Sequence, residues 1–150
     1  MRKQRAGRIV NLSSVAAAVP IPFQTFYSAS KAAINAYTMA LSNEVRPFGI
    51  TVCAVMPGDI HTGFTAAREK QIEGDDIYDG RIARSVQKME KDERTGMDPK
   101  NAGRYIAALA LRKNPKPLYA IRLDYKFFVL LSRILPVRFL NFLLRKLYAS

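Results

Sequence analysis

Two apolar runs, "GRIVNLSS" (residues 7–14) and "ITVCAVMPG" (residues 50–58), stand on either side of a long alanine-rich stretch. The second run is β-branched and continuously apolar from Ile50 to Met56. A strand with no polar alternation must be covered on both faces, which is the condition of strands in parallel sheets. Parallel neighbours cannot be joined by a hairpin and need a crossover, normally a helix. The stretch between the runs supplies one: a helical pattern from about Thr25 to Arg46, stopped by Pro47 and Gly49. The first run is a shorter strand, apolar at Ile9, Val10 and Leu12.

Downstream, residues 63–97 are polar and charged with two weak helical patches, an excursion rather than a core element. "DPKNAGRYIAALALRK" reads as a helix with Asp98 as N-cap, Pro99 in the first position and basic residues closing the end. "PLYAIR" reads as a third short strand, and residues 124–150 as two amphipathic helices separated at Pro136. The order strand, helix, strand, excursion, helix, strand, tail predicts an α/β fold with a parallel sheet and right-handed crossovers. Three strands are few, and the first would be an uncovered apolar edge, so an element that belongs beside it is expected outside these 150 residues.

The chain carries 24 basic and 12 acidic residues, a formal charge of +12. Residues 112–150 contribute +8 of this, with Asp124 as their one acid. A basic protein invites a nucleic-acid reading, but no zinc-finger, RNA-recognition or basic-zipper pattern accompanies the charge, so no nucleic-acid partner is expected. One histidine and one cysteine make a zinc site improbable, and no metal is expected. Cys53 lies in the apolar run, reads as a buried thiol, and fits a reducing, cytoplasmic compartment. The basic, alanine-containing start imitates a secretory signal, but Asn11, Ser13 and Ser14 interrupt its apolar region. No run reaches the ~18 apolar residues of a membrane span.

The chemistry is concentrated near the start. Ser14 stands at the C-terminal end of the first strand, Tyr27 thirteen residues later, and Lys31 four residues beyond that. Tyr27 and Lys31 share one face of the expected helix. A lysine ammonium beside a phenol favours the phenolate, which suits a tyrosine that exchanges a proton with an alcohol or carbonyl oxygen. Ser14 could hydrogen-bond the same oxygen. A chain with seven tyrosines yields a chance Y-x-x-x-K about half the time, so the pair alone is weak. Its company strengthens it: a strand ending in Ser-Ser, then Y-S-A-S-K, then a strand ending in Pro57-Gly58 with Thr62 four residues on.

Together "GRIVNLSSVA", "YSASKAA" and "GITVCAVMPGDIHT" resemble the second half of a short-chain dehydrogenase/reductase, strongly over residues 7–63 and by element order elsewhere. The resemblance implies the last three strands of a Rossmann-like doubly wound sheet. It implies an NAD- or NADP-dependent interconversion of a ketone and a secondary alcohol. Ser14 would polarise the substrate oxygen, Tyr27 would give or take its proton, and Lys31 would tune Tyr27 and bind the nicotinamide ribose. Pro57, Gly58, Ile60 and Thr62 would lie along the nicotinamide. Ser13 is one residue too early to be the catalytic serine. The family's helix bearing the tyrosine and lysine commonly forms a subunit interface, and Ala33, Ala36 and Ala40 would permit close packing in a homo-oligomer.

Residues 1–150 contain no T-G-x-x-x-G-x-G phosphate loop and no N-N-A-G segment, and nothing in them chooses between NAD and NADP. Met1 then stands where the family has an internal position, and the chain is expected to be a C-terminal half, inactive or weak by itself. The alternative is non-enzymatic: a remnant, or a module that depends on a partner or a membrane surface. Ser28-x-x-Lys31 also matches the S-x-x-K of acyl-serine hydrolases, without their S-D-N or K-T-G. His61 has no G-x-S-x-G elbow to serve and reads as a loop residue or pocket wall. In the tail, Arg138, Asn141 and Arg145 share one helix face, and Val137, Leu140, Leu143, Leu144 and Leu147 the other. That face suits either a peripheral membrane contact through residues 124–150 or a cover over the chain's own cleft. The apolar, basic tail points toward a lipid-like ketone as the small-molecule substrate, with its selectivity set by the excursion as a lid.

Overall fold

A computed structural model describes residues 1–69 and 73–149; positions 70–72 of the excursion and the last residue of the tail lie outside the described residues. The first apolar run forms β1 (Gly7–Leu12), the alanine-rich stretch α1 (Thr25–Val45), and the second run β2 (Ile50–Met56). The excursion holds α2 (Phe64–Ala67) and α3 (Arg81–Arg94). Then follow α4 (Pro99–Ala110), β3 (Leu118–Ala120), α5 (Leu123–Ile134) and α6 (Val137–Tyr148). The expected order is met, with Pro136 capping α6 where the tail breaks.

The three strands form one parallel sheet in the order β1-β2-β3. Gly7 pairs with Ile50 and Leu12 with Val55, while Ala54 to Met56 pair with Leu118 to Ala120. The central strand is buried almost throughout, which accounts for its unbroken apolar sequence. Cys53 and Val55 point to one face, where Leu109 of α4 and Ile121 pack on them. Met56 points to the other and meets Val15, Ala120 and Val129 of α5. α1 crosses this second face, where its Asn35 amide lies 3.3 Å from the Met56 sulfur. Helices therefore cover both faces, the doubly wound arrangement that the resemblance implies. β1 forms an edge of the sheet; its residues are half-buried and Leu12 is exposed.

The ends of the helices follow from local chemistry. α1 gives way to one tight turn at Arg46–Phe48, and Gly49 turns the chain at φ +68°. A side chain there would be strained and would also meet the Arg5 carbonyl, 2.2 Å from an added Cβ. Asp98 caps α4 by accepting from the Lys100 amide at 2.6 Å, and Pro99 takes the first position. The expected basic closure of α4 comes from elsewhere: no basic residue lies in its last turn, and Arg8 of β1 donates to the Ala110 carbonyl at 2.6 Å. The buried positions of α1 are polar, Ser28, Asn35 and Thr38. Thr38 donates to the Ile34 carbonyl and accepts from Asn11 of β1, so burial leaves its hydroxyl satisfied.

Candidate active site

Ligands of open α/β sheets bind outside the carboxyl ends of the strands. Here those ends are tied side by side, the Ser13 amide donating to Val55 O at 2.8 Å and the Val15 amide to Pro57 O at 3.0 Å. Ser14 sits at this junction in extended conformation and caps a short turn, its Oγ accepting from the Ala16 amide at 3.2 Å. That bond uses an oxygen lone pair and leaves the hydroxyl proton to be donated elsewhere. Ser13 faces away, its Oγ donating to the Lys31 carbonyl at 3.0 Å. The structure thus separates the two serines that the sequence places side by side.

Tyr27 and Lys31 lie one turn apart near the start of α1. The Lys31 ammonium is 5.6 Å from the Tyr27 ring centroid and donates to the Leu12 carbonyl at the end of β1, at 3.2 Å. Tyr27 is nearly half exposed and Ser14 is buried. Both, with Lys31, line a cavity of about 880 Å³ that also takes in Pro57, Gly58, Ile60 and Thr62. All seven residues singled out in the sequence therefore meet in one cavity.

The excursion closes back on this turn. Met97 donates to the Asp59 carbonyl, His61 donates to the Met97 carbonyl, and Ile60 bridges Met97 in parallel. Gly96 lies so close that an added Cβ would stand 2.6 Å from the Asp59 carbonyl carbon. His61 Nδ1 donates to the Arg94 carbonyl at 2.5 Å, and the ring does not line the cavity. It is a loop residue that pins the end of α3. Ser28 is buried, accepts from the Ile21 amide, and faces a separate groove, which removes support from the acyl-serine reading.

The tail supplies the roof. Leu140, Leu143, Leu144 and Leu147 of α6 line the cavity, as do Phe128 and Leu131 of α5 and Leu135 beyond its end. The face of α6 expected to be apolar is turned toward the chain's own cleft over Leu140, Leu143 and Leu144, while Val137 stays exposed. The polar lining is largely satisfied internally: Arg68 pairs with Glu93, and Asp92 with Lys88.

One pair that holds the turn at the cavity escaped the sequence reading. The Tyr125 hydroxyl accepts from the Asp59 amide at 3.0 Å and donates to Asp59 Oδ2 at 2.6 Å, while its ring lies on Gly58. An added Cβ at Gly58 would fall 2.0 Å from that ring, so only glycine fits. Burial pushes the Asp59 carboxyl above its ordinary range; the Tyr125 bond opposes this, and Asp92 and Glu93 reinforce it. Burial, then the Asp59 bond, hold the Tyr125 phenol firmly protonated. The two residues are 66 apart, and Tyr125 reads locally as one more aromatic on an amphipathic helix. The single signal was the Pro-Gly turn, whose bare face implies a close neighbour.

Residues 1–73 match the family model described as short chain dehydrogenase. The chain is 46% identical over 117 residues to the 3-ketodihydrosphingosine reductase of Bacteroides thetaiotaomicron, covering 77% of this chain and 44% of that one. The chain belongs to the short-chain dehydrogenase/reductase family. It is also 29% identical over 146 residues to a probable short-chain type dehydrogenase/reductase of Helicobacter pylori, covering 97% of this chain and 54% of that one. A short-chain dehydrogenase from Streptomyces avermitilis superposes with a TM-score of 0.70 at 26% identity, over 87% of this chain and 47% of that one. The chain thus spans about half the length of the curated relatives that it matches. Within this short-chain dehydrogenase/reductase, the cavity at the strand ends is the candidate active site.

Proposed function

We propose that these residues form the proton-handling and substrate-binding half of an NAD(P)-dependent reductase of a lipid-like ketone, acting reversibly on the secondary alcohol. The observation that carries this reading is the meeting of Ser14, Tyr27 and Lys31 in one cavity roofed by apolar side chains of α5 and α6. A bound nicotinamide would supply or accept the hydride. The Ser14 proton, free because Oγ accepts from Ala16, is donated to the substrate oxygen and orients it. Tyr27 passes its own proton to that oxygen as the carbonyl becomes an alcohol, and takes it back in the reverse direction. Lys31, held against the ring by the Leu12 carbonyl, offsets the negative charge that Tyr27 then carries.

The residues present fit the nicotinamide end of the cofactor. Lys31 offers an ammonium for the ribose, and the turn from Pro57 to Thr62 borders the same cavity. The phosphate loop is not among residues 1–150, so the chain on its own is expected to hold a dinucleotide weakly. The apolar roof, and the name of the Bacteroides relative, favour a long-chain ketone over a small polar one. The exposed Ala33, Ala36 and Ala40 face of α1 suits a homo-oligomer.

The test is NAD(P)H consumption by the chain fused behind the nucleotide-binding half of a relative, assayed with ketones of increasing alkyl length. kcat/KM should rise with chain length, and Leu143→Gln should cost about tenfold on the longest ketone while sparing the shortest. A fused protein that turns over short and long ketones alike would overturn the lipid assignment. One that turns over none would overturn the reductase reading.

A further inference from the structure

We propose that the outer face of α5 is a docking surface for an anionic lipid bilayer. Leu123, Phe127, Leu130 and Ile134 are each more than half exposed, and their spacing of four, three and four residues places them on one side of the helix. Val137, at the start of α6, is 72% exposed as well. The opposite side of α5 is already used: Val129 is buried in the core, and Tyr125 clamps the Gly58 turn. The stripe is a second apolar face on a helix whose first packs on the core through Val129 and on the Gly58 turn through Tyr125.

Charge selects the occupant. Lys126 and Arg133 are exposed and lie one above the other beside the stripe, and exposed Arg138 follows on α6. The segment's one acid, Asp124, is held by Arg122 at 2.6 Å. Two copies packed through the stripe about a twofold axis would set these cations against their own equivalents, with no carboxylate to receive them. Anionic headgroups receive them directly, while the apolar side chains enter the acyl boundary, the arrangement of an interfacial helix. The same helix also forms a wall of the cavity through Phe128 and Leu131. A bilayer at the stripe therefore lies about one helix diameter, ~10 Å, from the cavity. The surface stands on its own geometry and does not rest on the reductase reading.

The experiment is co-sedimentation of the full chain with phosphatidylcholine vesicles and with mixed phosphatidylcholine–phosphatidylglycerol vesicles, over a range of salt. The chain should sediment with the anionic vesicles, and salt should release it. Lys126→Gln and Arg133→Gln should each weaken binding about fivefold. Leu130→Glu with Ile134→Glu should weaken it about a hundredfold while leaving the circular dichroism and melting profile unchanged, since both positions are exposed. A chain that stays in solution, that binds both vesicle types equally, or that binds undiminished in either set of variants overturns the proposal. So does a stripe that covers a second copy, seen as a dimer that the Leu130→Glu/Ile134→Glu variant converts to monomer while the wild type ignores vesicles.

Discussion

At the scale of single residues, the Tyr125–Asp59 pair shows how the turn that borders the candidate site is held from a distant segment. Tyr125→Phe keeps the ring on Gly58 but leaves the Asp59 amide and carboxylate without their partner. It should cost about 1–2 kcal/mol in chemical denaturation and speed hydrogen exchange at the Asp59 amide. Asp59 also makes stability depend on pH. Its folded pKa lies above the ordinary value near 3.8, so the unfolded chain releases the proton first as pH rises. The stability attached to this group is present below that value and is lost between it and the raised folded one. Asp59→Asn retains an acceptor for the Tyr125 hydroxyl and removes the titration. It should lose less stability than wild type as pH rises above about 4, with the difference closing below that. Parallel pH-dependent urea melts of the two proteins would show this.

At the scale of elements, the βαβ unit was legible because its signals are local. An unbroken β-branched run, a proline–glycine stop and an alanine-rich helix each follow from neighbouring residues, and their order fixes the parallel pairing. The seven residues proposed for the site lie in or just beyond that unit, so their meeting in one cavity follows from the same local signals. The excursion was less readable: the end of α3 is anchored by Gly96, Met97 and Arg94 meeting residues 59–61, contacts that span more than thirty positions. The sequence left two uses open for the apolar face of the tail, a membrane contact or a cover over the cleft. Periodicity placed an apolar face on α6, but it could not show that this face covers the cavity while α5 keeps one exposed. The α4 layer offers a direct check. Leu109 is 4% exposed between α4 and the Cys53–Val55 face of β2, so Leu109→Ala should destabilise by about 3 kcal/mol in urea melts.

At the scale of the whole molecule, the strand ends form the floor of the cavity and the tail its roof. The strand ends bring Ser14 and the Pro57–Thr62 turn together, α1 adds Tyr27 and Lys31, and α5 and α6 enclose them in apolar side chains. No helix among the described residues is long and apolar enough to cross a membrane. The central claim is that Tyr27 moves the proton. The most direct measurement is kcat for ketone reduction by the fused protein, wild type against Tyr27→Phe, with cofactor affinity measured in parallel. The account predicts that kcat falls at least about a hundredfold in Tyr27→Phe while the Kd for NAD(P)H changes little. Turnover by Tyr27→Phe at the wild-type rate would contradict it.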